Sequence, residues 1–345
     1  MEFLPDVSLA EHSTMGLGGK AKFLVEVTNR TEVGQAVAWA FEQKLPTLMI
    51  GQGCNIVWRD EGFDGLVIVN KIMRYEVFEQ DEQNVYITVG AGENWDSVVE
   101  RSVGAGLTGI EALSLIPGTA GATPVQNVGA YGQEIAQTLT VVEAYDTQAK
   151  TMVNLQGAEC GFAYRTSRFN SVDRGRYYIT GITLHLTKGK LMPPFYASLQ
   201  RYFDEKMITD FSPQNVRNAV IEIRNSKLPD PAVIKNTGSF FANPIVGDSE
   251  FEYIKDNYNP VPHWSVGKGA TKLSAAWLID QAGFHDFKDE ATGMATWPKQ
   301  SLVLINNSAQ STADLLKFRQ QIIDAVQAKF NITLRQEPEL LPIVD

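Results

Sequence analysis

Cysteine is nearly absent. The 345 residues hold only Cys54 and Cys160, too few to staple a secreted domain with disulfides. No run of about eighteen apolar residues occurs, so no transmembrane helix is read. The opening residues, MEFLPDVSLAEHS, lack the basic and apolar regions of a secretory signal, and none is read there. Positive charge is not in excess either. Lys and Arg number 30 against 40 Asp and Glu, a formal net charge of −10, which disfavours a general role on nucleic acid or anionic membrane. A P-loop would need Gly-Lys-Ser/Thr and a hydrolase elbow Gly-x-Ser-x-Gly; neither is present. The four histidines, His12, His185, His263 and His285, stand in no triad spacing, and no metal site is expected. These absences leave a soluble cytoplasmic protein as the expectation, with two or three subdomains for a chain of this length.

What is present alternates between strand-like and helix-like patterns. FLVEV (23–27), TLMI (47–50), LVIVN (66–70) and VYITV (85–89) read as strands. Thr31 opens a helical pattern carrying Val33, Val37, Ala40 and Phe41, and Asn94 opens another carrying Trp95, Val98, Val99 and Val103. TVVEAY, TMVNL and YYITGITLHL, within 140–186, read as an antiparallel set. A further helical region starts near Pro213, KLSAAWLIDQAGF (272–284) reads as one helix stopped at Gly283, and SLVLIN (301–306) as a strand. Ser311 begins a long amphipathic helix with Leu315, Phe318, Ile322, Val326 and Phe330 on its apolar face. LMPPF (191–195) and KLPDP (227–231) read as boundaries of a connecting region. The class is α+β.

Two glycine-bearing segments carry chemistry. In LMIGQGCNIV (48–57) a strand runs into Gly51, Gln52, Gly53, Cys54 and Asn55, where successive amides of a turn converge on an anion. A Rossmann fingerprint would need a third glycine where Ile56 stands, so a plain tight turn is the competing reading. LIPGTAGATPVQNVGAYG (115–132) sets Gly118, Gly121, Gly129 and Gly132 among small residues, which forbids a long helix and offers dense backbone donors with little bulk. That suits a planar, phosphate-bearing cofactor; an elaborate structural loop stands equal to it on these residues alone. NTGSFFANP (236–244) is the third odd segment. Its Ser239 reads either as a turn hydroxyl satisfying backbone or as a hydroxyl held for chemistry.

GQGCNIV, IPGTAGATPVQNVGAYG, GFAYRTSRF, SKLPDP, NTGSFFANP, AAWLIDQAGF and QEPEL, in that order, span nearly the whole chain. The ordered set resembles the UDP-N-acetylenolpyruvoylglucosamine reductases of peptidoglycan synthesis, in the subgroup with a tyrosine loop. The resemblance implies an FAD-binding fold of the p-cresol-methylhydroxylase type in two subdomains, plus a C-terminal α+β substrate domain. The expected division is 1–72, with the final strand 333–345 returning to it, then 73–212, then 213–332. The implied cofactor is non-covalent FAD, with NADPH as hydride donor, and the substrate is an enolpyruvyl ether on UDP-N-acetylglucosamine. No histidine stands in the glycine loops to tether a flavin, as alcohol-oxidase-like relatives do. A non-catalytic nucleotide-binding relative is the other alternative, and it should have lost the residues named next.

The resemblance also assigns residues. Ser239 is the proton donor, Arg165 the cation on the substrate carboxylate, and Glu339 the second acid, with Glu337 its rival in EPE. The cofactor set is Gly51, Gln52, Gly53, Cys54, Asn55, Ile56, Ile116, Pro117, Gly118, Thr119, Gly121, Ala122, Thr123, Gln126, Asn127, Gly129, Ala130, Tyr131 and Gly132. Substrate contacts fall to Tyr196, Arg224, Lys227, Asn243 and Gln300. Ala242, Trp297 and the tail LLPIVD depart from the family's pattern, and Cys54 takes the place of a common serine. A monomer acting on small molecules, without nucleic acid or membrane, is expected.

Overall fold

The computed structural model describes residues 1–343. Val344 and Asp345, the end of the expected returning strand, lie outside the described residues. The chain forms two compact units, each assembled from separated segments: residues 1–7, 21–52 and 63–226 in the first, and 8–20, 53–62 and 227–345 in the second.

In the first unit, strands Lys20–Val27 and Thr47–Ile50 both pair in parallel with Phe63–Asn70. Their near-continuous apolar sequences suit a sheet buried on both faces. The helix Arg30–Glu42 covers this sheet, and Asn29 caps it by accepting a hydrogen bond from the Glu32 amide at 3.0 Å. A second, larger sheet is antiparallel throughout. Its order is Thr151–Gln156, Leu139–Asp146, Tyr177–Lys188, Asn84–Gly90 and Tyr75–Glu79. The helix Trp95–Gly104, capped by Asn94, buries Trp95, Val98, Val99 and Val103 with Ile87, Val89, Ile182 and Leu184 of this sheet. The helix Pro213–Lys227, placed by sequence at the start of the last domain, packs through Val216, Ala219 and Val220 with Leu199, Phe203 and Ala112 of the first unit.

The second unit holds a four-stranded antiparallel sheet in the order Asn236–Ser239, Gln300–Asn306, Met294–Trp297 and Lys288–Asp289. The helix Thr312–Phe330 begins at Ser311, whose hydroxyl accepts from the Asp314 amide while Asp314 accepts from Ser311. It buries the apolar face read from sequence with Phe240, Phe241, Leu278 and Leu304. The segment 272–284 departs from the single helix expected. Ala270–Leu273 is a strand, Ser274 caps a short helix Ala275–Ile279, and the chain widens over Asp280–Phe284 before Gly283 ends it at φ 95°. The β-branched Thr271 and the cap-forming Ser274 decide the start. A parallel pair joins Ile56–Trp58 to Glu339–Leu341.

An ion pair at a turn of the large sheet gives a stability test. Asp146 is nearly buried, accepts from Arg176 at 2.7 Å, and also takes the amides of Gln148 and Ala149. The Arg176 hydrogen bonds, against the opposing effect of burial, hold its carboxyl down to about 2 from an ordinary 3.8. A depressed carboxyl stabilises the fold above its unfolded pKa and loses that contribution as pH falls through the folded value. Asp146→Asn should therefore melt about 2–4 °C below the parent at pH 7. The gap should close as pH falls from 3.8 towards about 2; thermal melts showing an unchanged gap at the acid end would refute the assignment.

Candidate active site

The 115–132 segment is pinned rather than loose. The Trp95 amide donates to Gly118 O at 3.0 Å, Ala120 donates to Glu93 O and Gly121 to Ala91 O. The Thr123 hydroxyl returns to Ala120 O at 2.7 Å. Asn127 is buried, donates to Glu134 and to Ala163 O, and accepts from the Ala136 amide. Its side chain is spent on holding the loop, and its backbone amide donates to Pro124 O at 3.3 Å. The glycines divide by role. A Cβ on Gly121 would collide with Ala91, whereas one on Gly118, at φ 124°, would point into open space. A Cβ on Gly132, at φ 88°, would meet only the Tyr196 Cβ, at 4.0 Å. Gly121 is small to let the chain pack, and Gly118 and Gly132 supply backbone conformations closed to other residues and leave room above them.

Arg165 joins this loop. Its guanidinium donates to Gly129 O at 3.1 Å, and its own backbone sits at φ 53°, held by Asn170 donating to Arg165 O. A non-glycine residue there carries local strain of about 1–2 kcal/mol, which the surrounding turn must hold. Tyr131 and Tyr196 meet edge to face at 6.0 Å. Burial pushes the Tyr131 phenol up, partly offset by the nearby charge of Arg224. Burial likewise pulls the Arg224 guanidinium down, and among the described residues its Nε has no hydrogen-bond partner. A buried N–H left without an acceptor is costly, so Arg224 beside Tyr131 is equipped for an anionic or carbonyl ligand. Structure thus brings Arg165, Tyr131, Tyr196 and Arg224 together with the glycine loop inside one unit. Gly51 and Gln52 belong to the same unit, and a Cβ on Gly51 would collide with the Thr119 hydroxyl.

Gly53, Cys54, Asn55 and Ile56 belong to the second unit. The turn connects two strands, not a strand and a helix, and Gly53 at φ 73° lies so close to His12 O that no side chain fits. Burial pushes the Cys54 thiol up to about 11, so it is an uncharged packing group. The Glu339 amide donates to Asn55 O at 3.0 Å, which sets Glu339 beside this turn.

Ser239 closes the strand Asn236–Ser239 opposite Val303. Asn236 satisfies the turn: its side-chain oxygen accepts from the Gly238 amide at 2.8 Å and its NH2 donates to Ile234 O. Ser239 is half-buried and, among the described residues, its hydroxyl makes no hydrogen bond. The backbone-satisfying reading of that hydroxyl does not hold. Phe240 and Phe241 are buried edge to face at 5.5 Å, and burying two such rings contributes roughly 3–6 kcal/mol. Phe240 O accepts from the Glu337 amide at 2.9 Å and the Ala242 amide donates to Arg335 O at 2.9 Å. The segments carrying Ser239, Glu337 and Glu339 are therefore laced together. Arg319 and Gln336 complete the brace, since Arg319 donates to the Gln336 side chain and Gln336 to Pro338 O. Helical periodicity gave no reason to single out Arg319, which lies beside the apolar stripe.

The remaining sites are scattered. Asn243 accepts from the Ala275 amide at 2.9 Å, capping that short helix, and Gln300 opens its strand opposite Trp297. Lys227 offers its carbonyl to Trp297 Nε1 at 2.9 Å. Trp297 itself packs on Ala295, Val303 and Ile305.

Residues 21–153 match the family described as FAD binding domain, and residues 230–341 match UDP-N-acetylenolpyruvoylglucosamine reductase, C-terminal domain. The reductase of that name from Alcanivorax borkumensis is 39% identical over 339 residues, covering 98% of this chain and 96% of the relative. The one from Thermobifida fusca is 40% identical over 355 residues, covering 99% and 98%. The chain belongs to the UDP-N-acetylenolpyruvoylglucosamine reductase family. The solved reductase of that name from Thermus caldophilus shares the fold, with a TM-score of 0.69 at 23% identity, covering 99% of this chain and all of that one. As a member of the family the protein is an FAD-dependent oxidoreductase built on the p-cresol-methylhydroxylase-type fold with a C-terminal α+β domain.

The residues present fit the flavin, because Gly118 and Gly132 leave open space above a backbone braced on all other sides. Gly121→Val, which would drive a branched side chain into Ala91, should yield soluble protein with its bound-flavin absorbance near 450 nm reduced about tenfold or more. Full flavin occupancy in this variant would show that the loop's close packing is unrelated to cofactor binding.

Proposed function

We propose that the protein reduces the enolpyruvyl ether of UDP-N-acetylglucosamine to UDP-N-acetylmuramate, using NADPH. When bound, FAD would supply hydride-transfer chemistry between NADPH and the terminal carbon of the enolpyruvyl group. The ether then carries negative charge spread over the neighbouring carbon and its carboxylate. Arg165, with two directed donors, stabilises that charge. Ser239 gives its hydroxyl proton to the carbon, and the alkoxide left behind takes a proton back from solvent. A serine hydroxyl is a weak acid, but the carbon it protonates is strongly basic, which makes the transfer favourable once the hydroxyl is positioned. Glu339 is the second acid acting on the same charge. Tyr196, Arg224 and Lys227 contact the sugar nucleotide, with Asn243 and Gln300 as further polar contacts.

The observation that best supports this reading is the state of Ser239. Its turn is satisfied by Asn236, its neighbours are fixed by two buried phenylalanines, and its hydroxyl is left uncommitted. Such an arrangement is expected of a group reserved for a substrate. The reading takes the enzyme to be a cytoplasmic monomer whose partners are the sugar nucleotide and NADPH; a net charge of −10 favours neither nucleic acid nor anionic membrane.

Two measurements check it. NADPH oxidation by the purified protein should depend on the enolpyruvyl sugar nucleotide, and equal consumption with and without it would point instead to a generic flavin oxidase. In stopped-flow experiments Ser239→Ala should leave flavin reduction by NADPH within about twofold of the parent and slow reoxidation by substrate by roughly 10²–10⁴-fold. Equal loss in both half-reactions would make Ser239 structural.

A further inference from the structure

One ion pair, buried on its arginine side and 26% exposed on its aspartate side, lies at the head of the glycine loop and is used by none of the chemistry above. Arg217, only 6% exposed, reaches from the helix Pro213–Lys227 to Asp96 in the first turn of the helix Trp95–Gly104. The pairing is bidentate, Nη1 to Oδ1 at 2.6 Å and Nη2 to Oδ2 at 3.0 Å. Asp96 Oδ1 also accepts from the amide of Leu115 at 2.5 Å. Leu115 stands at φ 59°, a left-handed conformation that a branched apolar residue avoids. The residue beside Asp96 grips the same stretch twice more, with the Trp95 amide on Gly118 O at 3.0 Å and Trp95 Nε1 on Leu113 O at 3.1 Å. Residues 113, 115 and 118 are therefore held from one helix start, and Ile116 and Pro117 are enclosed between them.

We propose that Asp96 and Arg217 are positioning residues for the cofactor, holding Leu115 so that the Ile116–Gly118 backbone is preformed for FAD. Stability alone is a poor account of the pair, because desolvating the buried Arg217 guanidinium offsets much of what the attraction returns, and apolar residues of similar volume commonly do as well. The carboxylate's placement has a second use, since only an acceptor aimed at the Leu115 amide can satisfy it in its left-handed state. Burial would raise the Asp96 carboxyl, but the hydrogen bonds from Arg217 and Leu115 outweigh it and keep the group ionised. Two turns further along its helix, on the same face, Arg217 is followed by Arg224 beside Tyr131. One rigid element thus carries both the brace of the cofactor loop and a cation of the proposed substrate set.

The inference rests on the FAD reading, which titration of the parent apoprotein checks first; a parent that takes up no FAD would overturn that reading rather than this one. FAD affinity is then measured by flavin fluorescence for Asp96→Asn, Arg217→Met and Arg217→Lys, with Asp146→Asn as a control ion-pair variant remote from the loop. Asp96→Asn and Arg217→Met should raise the FAD dissociation constant about tenfold or more, the expected penalty for losing preorganisation. Arg217→Lys should recover part of the loss, since it keeps the charge without the fork. At saturating FAD, kcat should return to within a few-fold of the parent. Asp146→Asn should bind FAD like the parent despite its lower melting temperature. Parent-like affinity in both Asp96→Asn and Arg217→Met, equal weakening in Asp146→Asn, or a kcat loss that saturating FAD does not restore would each overturn the proposal. Should Arg217→Met fail to fold, Asp96→Asn and Arg217→Lys decide it.

Discussion

The second unit depends on a short main-chain ladder. Phe240 takes the Leu302 carbonyl with its amide and the Glu337 amide with its carbonyl, and Ala242 then bonds Arg335. Phe240 and Phe241 are consecutive and both buried, so this line is packed on both of its faces and leaves little room for a change of register. Everything chemically interesting in this unit hangs from that fixed line. Ser239 precedes it by one residue on one strand, and Glu337 and Glu339 follow it on the other. A loop could present the same side chains, but it would have to be ordered at each turnover, and that entropy would come out of catalysis.

The first unit solves a different problem, which is to present backbone instead of side chains. Residues 115–132 give up regular secondary structure, so their amides and carbonyls need partners from elsewhere. Ala91, Glu93, Trp95, Asp96, Ile135 and Arg165 provide several of them, and short-range bonds such as Thr123 N–H to Ala120 O and Val128 N–H to Thr123 O provide others. The outcome is a segment with one short helical turn, Ala120–Ala122, and no long strand, held by bonds along its length. Of the four glycines in this segment, Gly118 and Gly132 have positive φ and room where a Cβ would stand, whereas Gly121 and Gly129 are crowded. Rigidity of this kind is what a large planar ligand requires, since ordering a loose loop on binding would subtract from its affinity.

The strands Lys20–Val27, Phe63–Asn70, Asn84–Gly90 and Gln300–Asn306 and the helices Arg30–Glu42, Trp95–Gly104 and Thr312–Phe330 were legible in the sequence because their patterns repeat over many residues, whereas short strands such as Asn236–Ser239, His263–Gly267 and Met294–Trp297 were not. Asn94 and Ser311 announced their helices through local capping chemistry that needs no tertiary information. The segment 272–284 departs from the helix expected because its first two residues end the strand Ala270–Leu273, which pairs with Ile245–Gly247 and His263–Gly267, and Ser274 then caps the helix that follows. Site roles were less legible still. From sequence Asn127 looks like a polar residue offered to a ligand, yet its amide is consumed in bracing. Asp96 looks like an ordinary first-turn acid, and its partner lies 121 residues away. Ser239 is open between two readings in the sequence, and the turn's hydrogen bond is made by Asn236. In each case the deciding fact is which neighbour already satisfies a polar group, and that is a property of the fold.

The same reasoning separates the two glutamates of EPE. Glu337 and Glu339 flank Pro338, which cannot donate to a ladder and so interrupts the pairing between them. Glu337 stays with the Phe240 ladder, whereas Glu339 crosses to Asn55 and starts the parallel pair with Ile56–Trp58. Only Glu339 is thus carried to the glycine-bearing turn that the family resemblance assigns to the cofactor, with one carboxyl oxygen buried. Pro338 is the residue that sends the two glutamates to different neighbours.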